Sequence, residues 1–283
     1  MTENMSPPVG ELFRDWRRRR RLSQLDLANE AGVSSRHVSF VETGRTVPSR
    51  RMVLHLAEHL GVPLRERNRL LVAAGYAPVY QERPFDGPDM AAARQAVERI
   101  VRGHEPYPAL AVDRHWNLVL ANSAAEVFLH GVDPGLLEPP VNMMRLGLHP
   151  RGFASRVINL PEVRAFLLTR LARQVQMTGD ARMAALLDEL LSYGPGAASP
   201  EQVLPEEQVP PGEHEVALPI RIRDGGRELS FFSAITTFGT ALDITLAEIA
   251  IEAYFPADSA TADLLRSRED SRDQKSATKP PVP

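Results

Sequence analysis

Apolar positions recur three and four residues apart through the first quarter of the chain. Leu12 and Trp16 share one face, and Leu27, Ala28 and Ala31 mark a second stripe. Val38 and Val41 mark a third, Val53, Leu56, Ala57 and Leu60 a fourth, and Leu70, Leu71 and Ala74 a fifth. This spacing predicts short consecutive helices over residues 10–78. The pattern breaks at "GYAPVYQERPFDGPD", with three prolines and two glycines in fifteen residues, so residues 79–88 read as a linker.

A second pattern starts at Met90 with one more helix, to about Gly103. "YPALAVDRHWNLVLANSAAEVFLHG" then reads as strand, tight turn, strand, helix, with Ala109–Val112 and Leu118–Leu120 apolar on either side of "DRHWN". Helical spacing returns over about 141–149, 160–177 and 180–193, followed by the Pro-rich loop "GPGAASPEQVLPEEQVPPGEHE". Asp224-Gly225-Gly226 signals a hairpin turn, and "DITLAEIAIEAYFP" reads as a last strand, alternating through Ile249, Ile251, Ala253 and Phe255. After about Arg266 the chain is charged and poor in apolar residues, so 267–283 reads as a disordered tail. The order predicts an all-α front domain and, over 89–266, an α+β domain with one small antiparallel sheet covered by helices. No internal repeat is present.

Charge separates the same two regions. The chain has 283 residues and a net charge of −3, but residues 1–78 carry 13 Arg, no Lys and 8 acidic residues. The front is therefore net +5 and the remainder −8. A basic front suits a polyanion, and Arg suits planar contacts with phosphate and guanine. No apolar run approaches the ~20 residues of a membrane span. The first residues lack the pattern of a secretory signal, and there is no cysteine for disulfides or thiolate metal sites, so a cytoplasmic protein is expected.

The stretch "SQLDLANEAGVSSRHVSFVETG", residues 23–44, explains the basic front. Ser23 is a helix N-cap with Asp26 three residues on, Gly32 suits a left-handed terminus, and Ser34 caps the next helix. Two helices joined by so short a turn cross steeply, with Ala28 and Ala31 leaving room for close approach: a helix-turn-helix. With Val38 and Val41 inward, Ser35, Arg36, Ser39 and Phe40 are left to face a major groove. Arg36 matches guanine O6 and N7, the serines can donate to a base or phosphate, and Phe40 can touch a thymine methyl. Gln24 reaches a phosphate beside its helix N-terminus, and Arg45, Arg50 and Arg51 extend the basic rim. Ser34 is counted with the DNA-binding positions. A single such unit buries limited surface, so a homodimer on two half-sites of a double-stranded operator is expected.

"LSQLDLANEAGVSSRHVSFVETGRTVPSRRMVLHLAEHLGV" resembles the Xre-type helix-turn-helix family, through Ser23-Gln24, Leu27-Ala28, Ala31-Gly32-Val33-Ser34, Glu42, Gly44-Arg45 and Pro48-Ser49. Val41 stands where that family more often has leucine. The resemblance implies that Gln24 clamps a phosphate and that Ser35, Arg36 and Phe40 are base-facing. "PALAVDRHWNLVLANSAAEVFL", "VNMMRLGLHPRG" and "TTFGTALDITLAEIAIEAYFPAD" resemble the ligand-binding domain of MmyB-like transcription regulators over roughly 95–260. That resemblance implies a PAS-like fold and an apolar cavity associated with a fatty acid, here a bound effector rather than a cofactor.

Other constellations have two readings. Met143, Met144, Leu146 and the Phe231-Phe232 pair line such a cavity or are ordinary core. Asn142, Arg145 and His149 lie near them and suit a carboxylate, giving Asn142, Met143, Arg145, Leu146, His149 and Phe232 as candidate ligand residues. Asn122 reads as an N-cap. "HLAEH", His55 to His59, matches a zinc-protease spacing, but the same stretch is the core-facing fourth helix and no third ligand is evident, so no metal site is expected. Arg17–Arg21 reads as a mixed run, with about two of the five near phosphates and the others at a solvated helix end that they cap electrostatically. No nucleophile elbow or dinucleotide loop occurs, and no catalytic residue is assigned.

Overall fold

The computed structural model describes residues 7–194 and 218–277. Its contacts divide the chain into two units, Met1–Phe85 with Gly239–Ala247, and Asp86–Phe238 with Glu248–Pro283. The Pro-rich loop expected after residue 193 lies almost wholly outside the described residues.

The first unit contains α1 (Val9–Arg19), α2 (Gln24–Glu30), α3 (Ser35–Glu42), α4 (Arg50–His59) and α5 (Leu64–Ala73). Three serines start three of these helices. Ser23 Oγ accepts from the Asp26 N–H at 3.1 Å while the Asp26 carboxylate accepts from the Ser23 N–H at 2.8 Å. Ser34 and Ser49 accept from the N–H groups of His37 and Met52. Each cap satisfies a donor that the first helical turn leaves open. Gly32 ends α2 beyond its cap with φ +62°, in the left-handed region that glycine enters without a Cβ penalty. Phe13 and Trp16 of α1 are buried with Leu27, Val38, Val41, Val53, Leu56, Leu60, Leu70 and Leu71. Leu12, expected inward, is only half-buried, because Phe13 takes the centre of that face.

The second unit is built on five antiparallel strands: β1 (Ala109–Val112), β2 (Leu118–Ala121), β3 (Ile220–Asp224), β4 (Arg227–Thr237) and β5 (Ala250–Pro256). Their order is β2-β1-β5-β4-β3, so first and last strands meet in the middle of the sheet. α6 (Ala91–Arg102) precedes the sheet. Between β2 and β3 come α7 (Glu126–Leu129), α8 (Met143–Leu148), α9 (Leu160–Thr178) and α10 (Ala181–Leu191). α11 (Ile244–Ala247) lies between β4 and β5, so the last strand, expected from Asp243, begins only at Ala250 because residues 243–247 pair with Gln81 and Arg83 instead of with a strand; α12 (Ser259–Ala277) follows. The β3–β4 turn pairs Asp224 with Arg227 across Gly225 and Gly226, at φ +55° and +79°, as a two-residue hairpin with both central residues left-handed requires.

Two further expectations change. The tail does not begin at 267: α12 runs to Ala277, anchored by buried Thr261 and Leu265 and by an ion pair from Arg268 to Asp224. The expected linker is bound at its start, because the Asn68 carboxamide of α5 accepts from the N–H groups of Val79 and Tyr80 and donates to the Tyr80 carbonyl.

The excursion between β4 and β5 belongs to the first unit. The Ile244 N–H donates to the Gln81 carbonyl at 2.8 Å, and Thr245 Oγ1 donates to the Arg83 carbonyl at 2.6 Å. Arg83 pairs with Asp243 at 3.3 Å, and Ile244 is buried. No helix among the described residues is long and apolar enough to cross a membrane.

Candidate nucleic-acid interface and ligand domain

α3 is short, and its inward face is spent on Val38, Val41 and Glu42, all buried. What remains outward is Ser35 and Arg36, exposed, with Ser39 and Phe40 half-buried beside them. Ser34 is exposed too, but its hydroxyl is engaged as the α3 cap. Arg45 and Arg50 are exposed on the same unit, Arg45 just past α3 and Arg50 at the first residue of α4.

Sequence reasoning missed what orients this helix. The Glu42 carboxylate, 3% exposed, receives Arg17 in a bidentate pair at 2.6 and 2.9 Å and Gln24 Nε2 at 2.8 Å. Arg14 donates to the Glu42 carbonyl at 3.0 Å. One acidic group thus fastens α1, α2 and α3 together. Burial pushes the Glu42 carboxyl up, but the Arg17 and Gln24 hydrogen bonds and the Arg17 and Arg14 charges outweigh it and hold it below the usual carboxylate range. The bond to Glu42 in turn raises Arg17. Gln24 therefore sits at the start of α2 as expected, with one amide N–H already committed to Glu42.

Of the arginine run, Arg17 also donates to the Leu22 carbonyl, and Arg20 donates to the carbonyls of Leu60 and Gly61. Both are internal fasteners, a role the sequence reading did not cover. Arg18, Arg19 and Arg21 are exposed. In "HLAEH", the His55 ring nitrogen lies 2.7 Å from the Ala31 carbonyl and its ring meets His59 edge-on, which ties α4 to the end of α2.

In the second unit, two apolar clusters fill the space around the sheet. One gathers Leu110, Trp116, Met144, Leu171, Met183 and Leu190; the other Phe128, Leu146, Phe153, Val163, Ile222 and Phe231. Met143, Leu160, Leu167 and Tyr254 pack against both and keep part of their surface open. At this seam the Tyr254 hydroxyl donates to Glu252 at 2.9 Å, and Arg170 donates to the same carboxylate at 2.8 Å while lying 4.2 Å over the Trp116 ring. Burial, then the neighbouring Glu252 charge, push the Tyr254 hydroxyl well above its usual range.

The candidate ligand residues divide among different surroundings. Leu146 is buried and Met143 stands at the seam. Asn142 is buried as the α8 cap, accepting from the Arg145 N–H and donating to the His115 carbonyl. Arg145 grips Glu189 in a bidentate pair at 2.6 and 2.8 Å, Tyr193 donates to the same carboxylate, and His149 meets the Tyr193 ring edge-on. The carboxylate expected at Arg145 is thus supplied from within the chain. Burial and the Glu189 bond raise the Tyr193 hydroxyl to about 12. Phe232 is 37% exposed and stacks on Phe255, whereas Phe231, pointing the other way along β4, is fully buried with Leu146. Alternation along a strand decides which of two adjacent aromatics is inside, and the dipeptide alone did not reveal the phase. Asn122 caps the turn after β2 and also donates to the carbonyls of Val101 and Tyr107.

The family model of the MmyB-like transcription regulator ligand binding domain matches residues 93–267, more than half of the chain, and that of a helix-turn-helix domain matches residues 8–70. A search of curated proteins gave no match. The first match covers most of the sheet-based unit and also takes in 239–247, which packs with the helical unit, and the second covers the helical unit as far as Leu70. The architecture is that of a DNA-binding transcription regulator with a ligand-sensing domain.

Proposed function

Since the chain belongs to the MmyB-like transcription regulator ligand-binding-domain family, we propose that it is an Xre-type, sequence-specific regulator. It works in the cytoplasm as a homodimer on a double-stranded operator and senses a small apolar ligand of the fatty-acid class. The observation that carries the DNA reading is the outward set Ser35, Arg36, Ser39 and Phe40 on a helix whose opposite face is buried. Gln24, Arg45 and Arg50 supply phosphate contacts around it. The seam of Met143, Leu160, Leu167 and Tyr254 supports the ligand reading, with Leu146 and Phe231 behind it. Burying a chain of ~12 methylenes is worth about 10 kcal/mol before association costs. A coupling of only ~1–3 kcal/mol between ligand and DNA suffices for regulation. No catalytic step is part of this reading.

Site selection from a random duplex pool, run on the protein as purified and again after apolar passengers are stripped, tests both halves. Enrichment of one two-fold-symmetric sequence whose affinity changes on stripping is expected. No enrichment sinks the operator reading. Solvent extraction and mass spectrometry that find no apolar passenger, with no binding of added fatty acid, sink the ligand reading.

A further inference from the structure

Phe40 lies between the two arginines that flank the outward face of α3. The Arg36 guanidinium carbon is 5.1 Å from the centroid of the Phe40 ring, and that of Arg45 is 5.6 Å from it. Arg36 stands one helical turn before Phe40, and Arg45 returns to it from beyond the helix, its N–H donating to the Phe40 carbonyl at 2.9 Å. Among the described residues neither guanidinium has a carboxylate partner. Elsewhere in this unit Arg14, Arg17 and Arg65 are ion-paired. Two like charges are therefore gathered around one ring at the position read as the DNA-facing head.

An aromatic face attracts a cation, and a guanidinium resting on it keeps its N–H edge free to donate outward. Without the ring, two long and mutually repelling side chains would sample many rotamers, and binding would have to order them. With it, they are ordered beforehand. We propose that Phe40 is a positioning residue: its ring orients Arg36 toward the O6/N7 edge of a guanine and Arg45 toward a neighbouring phosphate, and itself contacts no base. This rests on α3 being the reading helix. It replaces the thymine-methyl contact expected for Phe40 from sequence.

The test is site selection with the full chain as wild type, Arg36→Ala, Phe40→Met, Phe40→Leu, Phe40→Trp and the Arg36→Ala/Phe40→Met double variant. Thermal melting selects the variants that are folded, and Met and Leu give two ring-free substitutions. Arg36→Ala should flatten preference at one G·C pair. Phe40→Met or Phe40→Leu should flatten the same pair by about two- to fivefold, as the loss of an exposed cation–π contact implies. Phe40→Trp should preserve the preference, and the double variant should be no flatter than Arg36→Ala alone. The proposal is overturned if the ring-free variants flatten an A·T pair and leave the G·C pair intact, because Phe40 then reads thymine itself. Losses that simply add in the double variant overturn it as well. A wild-type protein that enriches nothing removes the operator reading itself, an outcome distinct from either of these.

Discussion

Glu42 shows how much one side chain can decide. It is nearly inaccessible, it carries a charge, and three side chains from two other helices converge on it or on its carbonyl. Removing the charge while keeping the shape leaves Arg17 facing a weaker acceptor, so Glu42→Gln should lower the unfolding free energy by about 3 kcal/mol in denaturant titrations at neutral pH. The sign with pH follows from its depressed carboxyl. The stabilisation is present above the ordinary carboxylate range, near ~4.3, and is lost as pH falls through the folded-state value. The gap between wild type and Glu42→Gln should therefore close in acid; a gap that widens would contradict the assignment. At Arg145 the prediction concerns fold rather than ligand. Arg145→Ala leaves the half-exposed Glu189 without its guanidinium and should cost about 1 kcal/mol or less after solvent screening. Unchanged fatty-acid binding by that variant would agree with the internal pairing. None of these partnerships was legible beforehand. Residues 17 and 42, or 145 and 189, are linked by tertiary packing, and no local spacing announces that.

Elements were far more legible, because their signals are local. Capping serines, the Asp-Gly-Gly turn and apolar periodicity each act within a few residues, and most helices and strands formed where they pointed; the strand read from Asp243 instead begins at Ala250, after the short helix α11. The misses come from signals that act at a distance. α12 continues through a charged stretch because Thr261 and Leu265 dock it and Arg268 pairs with Asp224, partners about forty residues earlier in the chain. Helix approach was also hidden. A Cβ at Gly10 would lie 2.5 Å from the Val41 carbonyl oxygen and 2.8 Å from that of Glu42, so α1 closes directly on the end of α3. Gly10→Ala should push the two helices apart, costing about 1–3 kcal/mol in thermal or chemical unfolding and weakening operator binding by displacing α3. Gly32 offers the contrast. Nothing lies near its missing Cβ, so Gly32→Ala pays only for its left-handed backbone, about 1–2 kcal/mol.

At the level of the whole molecule, the basic front and acidic remainder already separated two regions in the sequence, and the family matches fall on the same two. The route of the chain between them was not legible. "TTFGTALDITLAEIAIEAYFPAD" reads as one continuous stretch, yet its middle, Gly239–Ala247, belongs to the helical unit. That assignment depends on Gln81 and Arg83 being in place to receive it, which nothing near residue 243 encodes. A fragment ending at Phe85 should consequently melt lower than the same fragment joined to 239–247 through a Gly/Ser tether. The difference should be about 1.5–3 kcal/mol, the worth of burying Ile244. Equal melting would mean that this segment contributes nothing to the helical unit.

Because that segment leaves the sheet after β4 and re-enters it at β5, no single cut through the backbone yields two intact halves. A hybrid regulator made by splicing the front of this chain onto the back of a relative would inherit a mismatched tile at residues 239–247. The boundary that protein engineers would need to respect has three edges, one at residue 85 and two inside what looks like a single unbroken domain.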